Sequence, residues 1–171
     1  MNKQEILEIC KWKEDEGWFG QFECFSPLLD HTVEIHLIVN NDYQISDRTL
    51  AIVNAFLGLN EHSLLEIKRF LWEGCQLCCE EISYGIEVKE GQTETEANHE
   101  AFGVFNREDA FEKSSLMYLL INESNEEFKG NYGLLNFDNE WESHISVVVM
   151  KDGEIVGHGE SGVYVGQFES H

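Results

Sequence analysis

Proline is almost missing from this chain: Pro27 is the only one in 171 residues. No Pro-rich or Gly/Ser-rich linker, internal repeat or low-complexity tract marks a boundary, so residues 1–171 are read as one domain. Basic residues are scarce as well. Eleven lysines and arginines face thirty-three aspartates and glutamates, a formal net charge of −22. This argues against nucleic-acid binding, whose affinity comes largely from Lys and Arg on phosphates. It argues equally against an anionic membrane surface. No apolar run reaches the length of a signal peptide or a membrane span, and the expectation is a cytoplasmic protein. Nucleotide, hydrolase and zincin signatures (GxGxxG, Walker, GxSxG, HExxH) are absent too, so no enzyme activity and no cofactor is expected.

What the chain does have is apolar material for a core. Hydrophobic residues make up 42%, including eleven phenylalanines and four tryptophans. The longest helical pattern runs from Ile45 to Ile82, and it breaks in two. Ser46 or Asp47 caps a first helix, with Leu50, Val53, Phe56 and Leu57 on one face. Gly58 ends it, read as a left-handed cap. Asn60 caps a second helix whose apolar face is Leu64, Ile67, Leu71, Cys75, Cys78 and Ile82. Gly74 lies inside it at a cost of about 1 kcal/mol relative to alanine, through a close packing contact or a break.

Strand signals flank this helical centre. Residues 1–13 contain a short helix with Ile6, Leu7 and Cys10 on one side. Trp18 to Phe25 reads as an aromatic strand. His31 to Val39 alternates, with Val33, Ile35, Leu37 and Val39 on one face, and completes a hairpin. After Ile82 the reading is a strand over Ser83 to Val88 and an exposed, mobile acidic loop over 87–100. A helical turn over Glu108 to Lys113 and a buried strand over Leu116 to Ile121 follow. The chain closes in a meander: Tyr132 to Phe137, Ile145 to Met150, Glu154 to His158 and a last strand Val163 to Val165. Lys151, Asp152 and Gly153 form a tight turn, with Asp-Gly supplying positive φ. Helices segregated from strands define an α+β fold: an antiparallel sheet, from the N-terminal hairpin and C-terminal meander, packed against two central helices.

Chemical groupings are few. The five cysteines are Cys10, Cys24, Cys75, Cys78 and Cys79, an odd number that argues for reduced thiols. Cys75 and Cys78 resemble half a metal motif, but no second closely spaced pair accompanies them. The histidines are scattered, so core packing is the reading and no metal is expected. A Cys24–His36 nucleophile pair has no local signature around it. Asp138, Asn139, Glu140, Trp141 and Glu142 join two strands and lack the glycine a calcium loop uses. Here Trp141 either folds into the core above a solvated acidic rim or anchors a partner.

One resemblance emerges from these residues: the hairpin with Trp18, Phe19 and Gly20, the Ile/Ser/Asp-initiated helical centre, and the closing set Tyr132, Gly133, Leu134, Asp138, Trp141, Glu142, His144 and Lys151 to Gly153. The layout resembles an uncharacterised bacterial domain family, some of whose members look like immunity proteins of polymorphic toxin systems. The resemblance carries over no catalytic residues. It implies a protein that binds and neutralises a toxin, and a −22 charge suits a toxin with a basic cleft. The expected contact surface comprises Glu94, Glu96 and Glu100 together with Asp138, Glu140, Trp141 and Glu142. A regulatory adaptor for another protein and a small hydrolase or metal enzyme are the alternatives. The enzyme alternative requires a pocket that brings Cys or His together with carboxylates.

Overall fold

A computed structural model of the chain describes residues 1–142 and 144–170. Helix α1 (Lys3–Ile9) and strands β1 (Lys11–Lys13), β2 (Glu16–Ser26) and β3 (His31–Ile38) come first. Four helices follow: α2 (Asp47–Leu57), α3 (Glu61–Glu81), α4 (Glu94–Phe102) and α5 (Arg107–Glu112). Then come β4 (Ser114–Asn122), a 3-10 turn (Glu123–Glu127), β5 (Tyr132–Asn139), β6 (Ser146–Lys151), β7 (Glu154–Glu160) and a 3-10 turn (Val165–Phe168). Among the described residues the seven strands form one sheet in sequence order. Every pairing is antiparallel except β3 with β4, which is parallel, with Ile35 opposite Leu119 and Leu37 opposite Ile121. The α+β expectation is met, with α2 and α3 contacting the sheet.

Alternation explains which side the helices take. Val33, Ile35 and Leu37 are buried on one face of β3 and join Leu119, Ile121, Leu135 and Phe137 in the main core. Helices α2 and α3 supply Ile52, Val53, Phe56, Ile67 and Leu71 to it. Each such side chain gains about 1.5–3 kcal/mol from full burial. The opposite face is covered at β5–β7, where Tyr132, Val147 and Val149 pack with Val165 and Phe168. Gly157 permits this, because a Cβ there would lie 2.2 Å from the Phe168 ring.

The helix ends follow their caps. Ser46 accepts from the Thr49 N–H to start α2, and Asn60 accepts from His62 and Ser63 to start α3. Gly58 does end α2, but at φ −91°, not left-handed. Asp152 and Gly153 take the expected positive φ values of 51° and 89° in the β6–β7 turn.

Several local expectations are overturned. The 87–100 segment is not a loop throughout: Thr93 and Glu96 form a capping box that starts α4. Residues 83–88 carry no strand. Residues 163–165 do not form a last strand and instead lead into the second 3-10 turn. Strand β4 is not continuously buried; Leu119 and Ile121 face the core while Met117 is exposed. The buried face of α3 is also rotated from the expected one. Phe70 and Cys79 are buried and Ile82 is 40% exposed, because α4 and α5 pack along its second flank.

Candidate functional site

One contact links the two expected acidic segments, and their residues differ in what they present. Tyr84, just beyond α3, is the meeting point. Its hydroxyl donates to the Trp141 carbonyl, and its ring lies edge-on to Phe102 at 4.9 Å. The 138–142 segment and the C-terminal end of α4 therefore meet at one residue. Helix rise is about 1.5 Å per residue, so Glu94, at the other end of α4, stands about 12 Å along the helix from this contact and Glu100 about 3 Å. Exposed Glu80, Glu81, Glu87 and Glu90 come from the neighbouring stretch.

Within this acidic region the roles separate. Glu94, Asp138 and Glu140 are exposed. Glu96 accepts from the Thr93 N–H at 2.8 Å and hydroxyl at 3.0 Å, bonds that hold its carboxyl below the usual range. Glu100 is paired with Lys89 and accepts from Gln92 at 2.8 Å, with the same direction of shift. Trp141 is fully buried. Its indole packs in the main core, so the aromatic anchor expected on the surface is not there.

Several cations elsewhere are engaged with other carboxylates or with backbone carbonyls. Lys3 pairs with Asp47 at 2.8 Å, Lys13 with Glu16 at 2.6 Å, and Arg69 with Glu66 and Glu73 at 2.6 and 2.8 Å. Lys68 pairs with Glu108. Arg48 and Lys151 donate to backbone carbonyls of 128 and 130 and of 168 and 169.

Glu142 belongs to a second feature, a cleft of about 460 Å³ between α3 and strands β6 and β7. Its walls include Phe70, Gly74, Cys78, Glu142, Ser146 and His158. Burial raises the Glu142 carboxyl above its ordinary range, although Ser146 donates to it. Burial also pushes the Cys78 thiol up to about 11 and lowers the His158 imidazole. A volume in this range is typical of ligand pockets. Sequence reading missed this grouping because a bulge lies between Val149 and Met150. Ile155 pairs with Met150 and His158 with Val148, so an extra residue turns His158 toward α3. Only the raw presence of His158 was visible in the sequence.

The Cys24–His36 pair is not formed. Cys24 is on the core face of β2, whereas His36 points to the other face and stacks on Tyr118 at 4.2 Å. Cysteine and histidine do meet elsewhere: the ligand atoms of Cys75, Cys79 and His99 lie within 4.8 Å of one another.

Fold and site together define an acidic α+β domain with a carboxylate-rich region beside a half-buried cleft. The chain belongs to the family described as Domain of unknown function (DUF6985), whose model matches residues 8–171. No curated protein and no solved structure matches it. No helix among the described residues is long and apolar enough to cross a membrane.

Proposed function

We propose that this chain is an immunity-type binding protein of the cytoplasm that docks its acidic region on a basic toxin domain and occludes the toxin's active site. The observation that supports this is the convergence of two acidic segments at Tyr84 while the cations cited above are tied up elsewhere. Glu94, Asp138 and Glu140 form the contact set, since their exposed carboxylates are open to a partner. Glu96 and Glu100 shape α4 and contribute long-range field. Charge complementarity of this kind speeds encounter and excludes wrong partners.

The test uses the purified chain as bait in lysate of its source cell, beside a Glu94→Lys/Asp138→Lys/Glu140→Lys variant. A basic toxin domain retained at low salt, released at high salt and lost with the variant is the expected result. No partner at any salt, or equal retention by the variant, overturns it. A second reading, a small hydrolase, has its own observation in the cleft that joins Cys78, Glu142 and His158. It requires turnover in a substrate screen that Glu142→Gln abolishes.

A further inference from the structure

Cys75 and Cys79 stand one turn apart on α3, so both thiols project from the same side of the helix. Their sulfurs are 4.0 Å apart. Two thiolates held at about 2.3 Å from one zinc ion lie about 3.8–4.0 Å apart in tetrahedral or trigonal geometry. The pair is therefore already spaced for one ion. The third group comes from α4: the His99 ligand atom falls within 4.8 Å of both sulfurs. The imidazole is oriented by an outer partner, since its Nδ1 lies 2.8 Å from the Val104 carbonyl oxygen. A carbonyl only accepts, so Nδ1 carries the proton and Nε2 keeps its lone pair. Zinc-ligating histidines are commonly fixed by such a bond.

The surroundings suit an ion held by three protein ligands with one coordination position open. Cys75 and Cys79 are buried at 0% and 1% exposure. Two thiolates and one neutral imidazole on a dication sum to zero charge, which a buried site tolerates far better than a net charge. The wall beside it includes Asn98, fully buried, whose amide donates to the Cys79 and Ile82 carbonyls. Its side-chain oxygen has no hydrogen-bond partner among the described residues. Thiolate and imidazole donors together select zinc over the hard cations. Cys78, the nearer match to a CxxC motif, faces the cleft and is not part of the set.

We propose that Cys75, Cys79 and His99 bind a zinc ion that staples α4 to α3. Binding exchanges two thiol protons for the metal, with the imidazole as the third donor. The site stands independently of any toxin partner.

The experiment is Co²⁺ titration of the reduced, chelator-treated full chain, followed by Zn²⁺ displacement and thermal melts with and without Zn²⁺. Expected are one Co²⁺ per chain with a thiolate charge-transfer band, its loss on adding Zn²⁺, and a higher melting temperature with Zn²⁺. His99→Gln and Cys79→Ser should weaken Co²⁺ binding by at least about 100-fold, the loss that even an outer partner can cause. Cys78→Ser should leave it unchanged. Far-UV circular dichroism confirms that each variant is folded, and His99→Gln, at a half-buried position, covers the case in which the core serine unfolds the chain. No charge-transfer band in the wild type, a band that survives His99→Gln, or one that Cys78→Ser removes overturns the site.

Discussion

Glu169 fastens the C-terminal segment to the sheet. It accepts from the Tyr132 hydroxyl at 2.7 Å, the Lys129 N–H at 3.0 Å and the Gly130 N–H at 3.2 Å. Led by the Tyr132 bond, these contacts lower its carboxyl to about 2. A folded-state value below the unfolded one means stability that is present above the unfolded value, near 4.5, and lost as pH falls toward about 2. In Glu169→Gln that dependence should flatten. Denaturation midpoints of the two proteins should differ at pH 7 and converge near pH 2; a constant gap would show that the carboxylate charge is not what holds the segment. Glu123, unlike Glu169, is buried, and it has a positioning role. Burial alone would raise its pKa, but bonds from Ser46, Thr49 and Asn40 outweigh this and hold it low. It thereby ties the end of β4 to the start of α2.

Helix α3 runs unbroken through Gly74, and an added Cβ would meet only the His158 ring at 3.7 Å, ordinary contact. Gly74→Ala should therefore stabilise the protein by about 1 kcal/mol through helix propensity, read as a higher urea midpoint with an unchanged slope. A lower midpoint would mean that the cleft wall cannot accept the methyl group. Of the two causes considered for this glycine, a break and a tight contact, neither is found. Other features of the elements were legible in the sequence. The caps Ser46 and Asn60, the alternation of β3 and the Asp152–Gly153 turn are local signals that local chemistry fixes. What was hidden depends on neighbours distant in sequence. Cys79 turns inward, against the expectation for Cys78, because α4 packs there, and the acidic composition of α4 reads as loop. Its capping box, Thr93 with Glu96, was present in the sequence and marks the start that the acidic composition masked. The turning of His158 toward α3 rests on a bulge, which alternation cannot reveal. The expected site fared similarly: the acidic residues were visible from composition and the burial of Trp141 was one of the two readings its segment allowed, whereas the meeting of His99 with two thiols was not visible.

A formal charge of −22 acts on the molecule as a unit. Self-repulsion among surface carboxylates opposes the compact state and is screened beyond about 8 Å at 0.15 M ionic strength. The melting temperature should rise as salt goes from low to physiological strength, by about 2–4 °C for each kcal/mol recovered. A fall would place the ion pairs above repulsion in importance. Partner binding through the acidic region should weaken over the same range, so stability and affinity move in opposite directions with salt.

The parallel seam between β3 and β4 sets a folding order. The β2–β3 hairpin and the β5–β7 meander close over short loops, but β4 reaches β3 only after the chain from Val39 to Lys113 has been made. Contacts of such long sequence separation form slowly, because loop closure comes before any gain from pairing. During synthesis the second edge of β3, with Val33, Ile35 and Leu37, waits unpaired while all of α2 to α5 emerge. Open edges of this kind template association between chains. The nascent protein should thus be most prone to aggregation before Ser114 appears, and docking of β4 should limit refolding, so a core truncation such as Leu119→Ala should slow the refolding phase in stopped-flow fluorescence; an unchanged rate would refute this order.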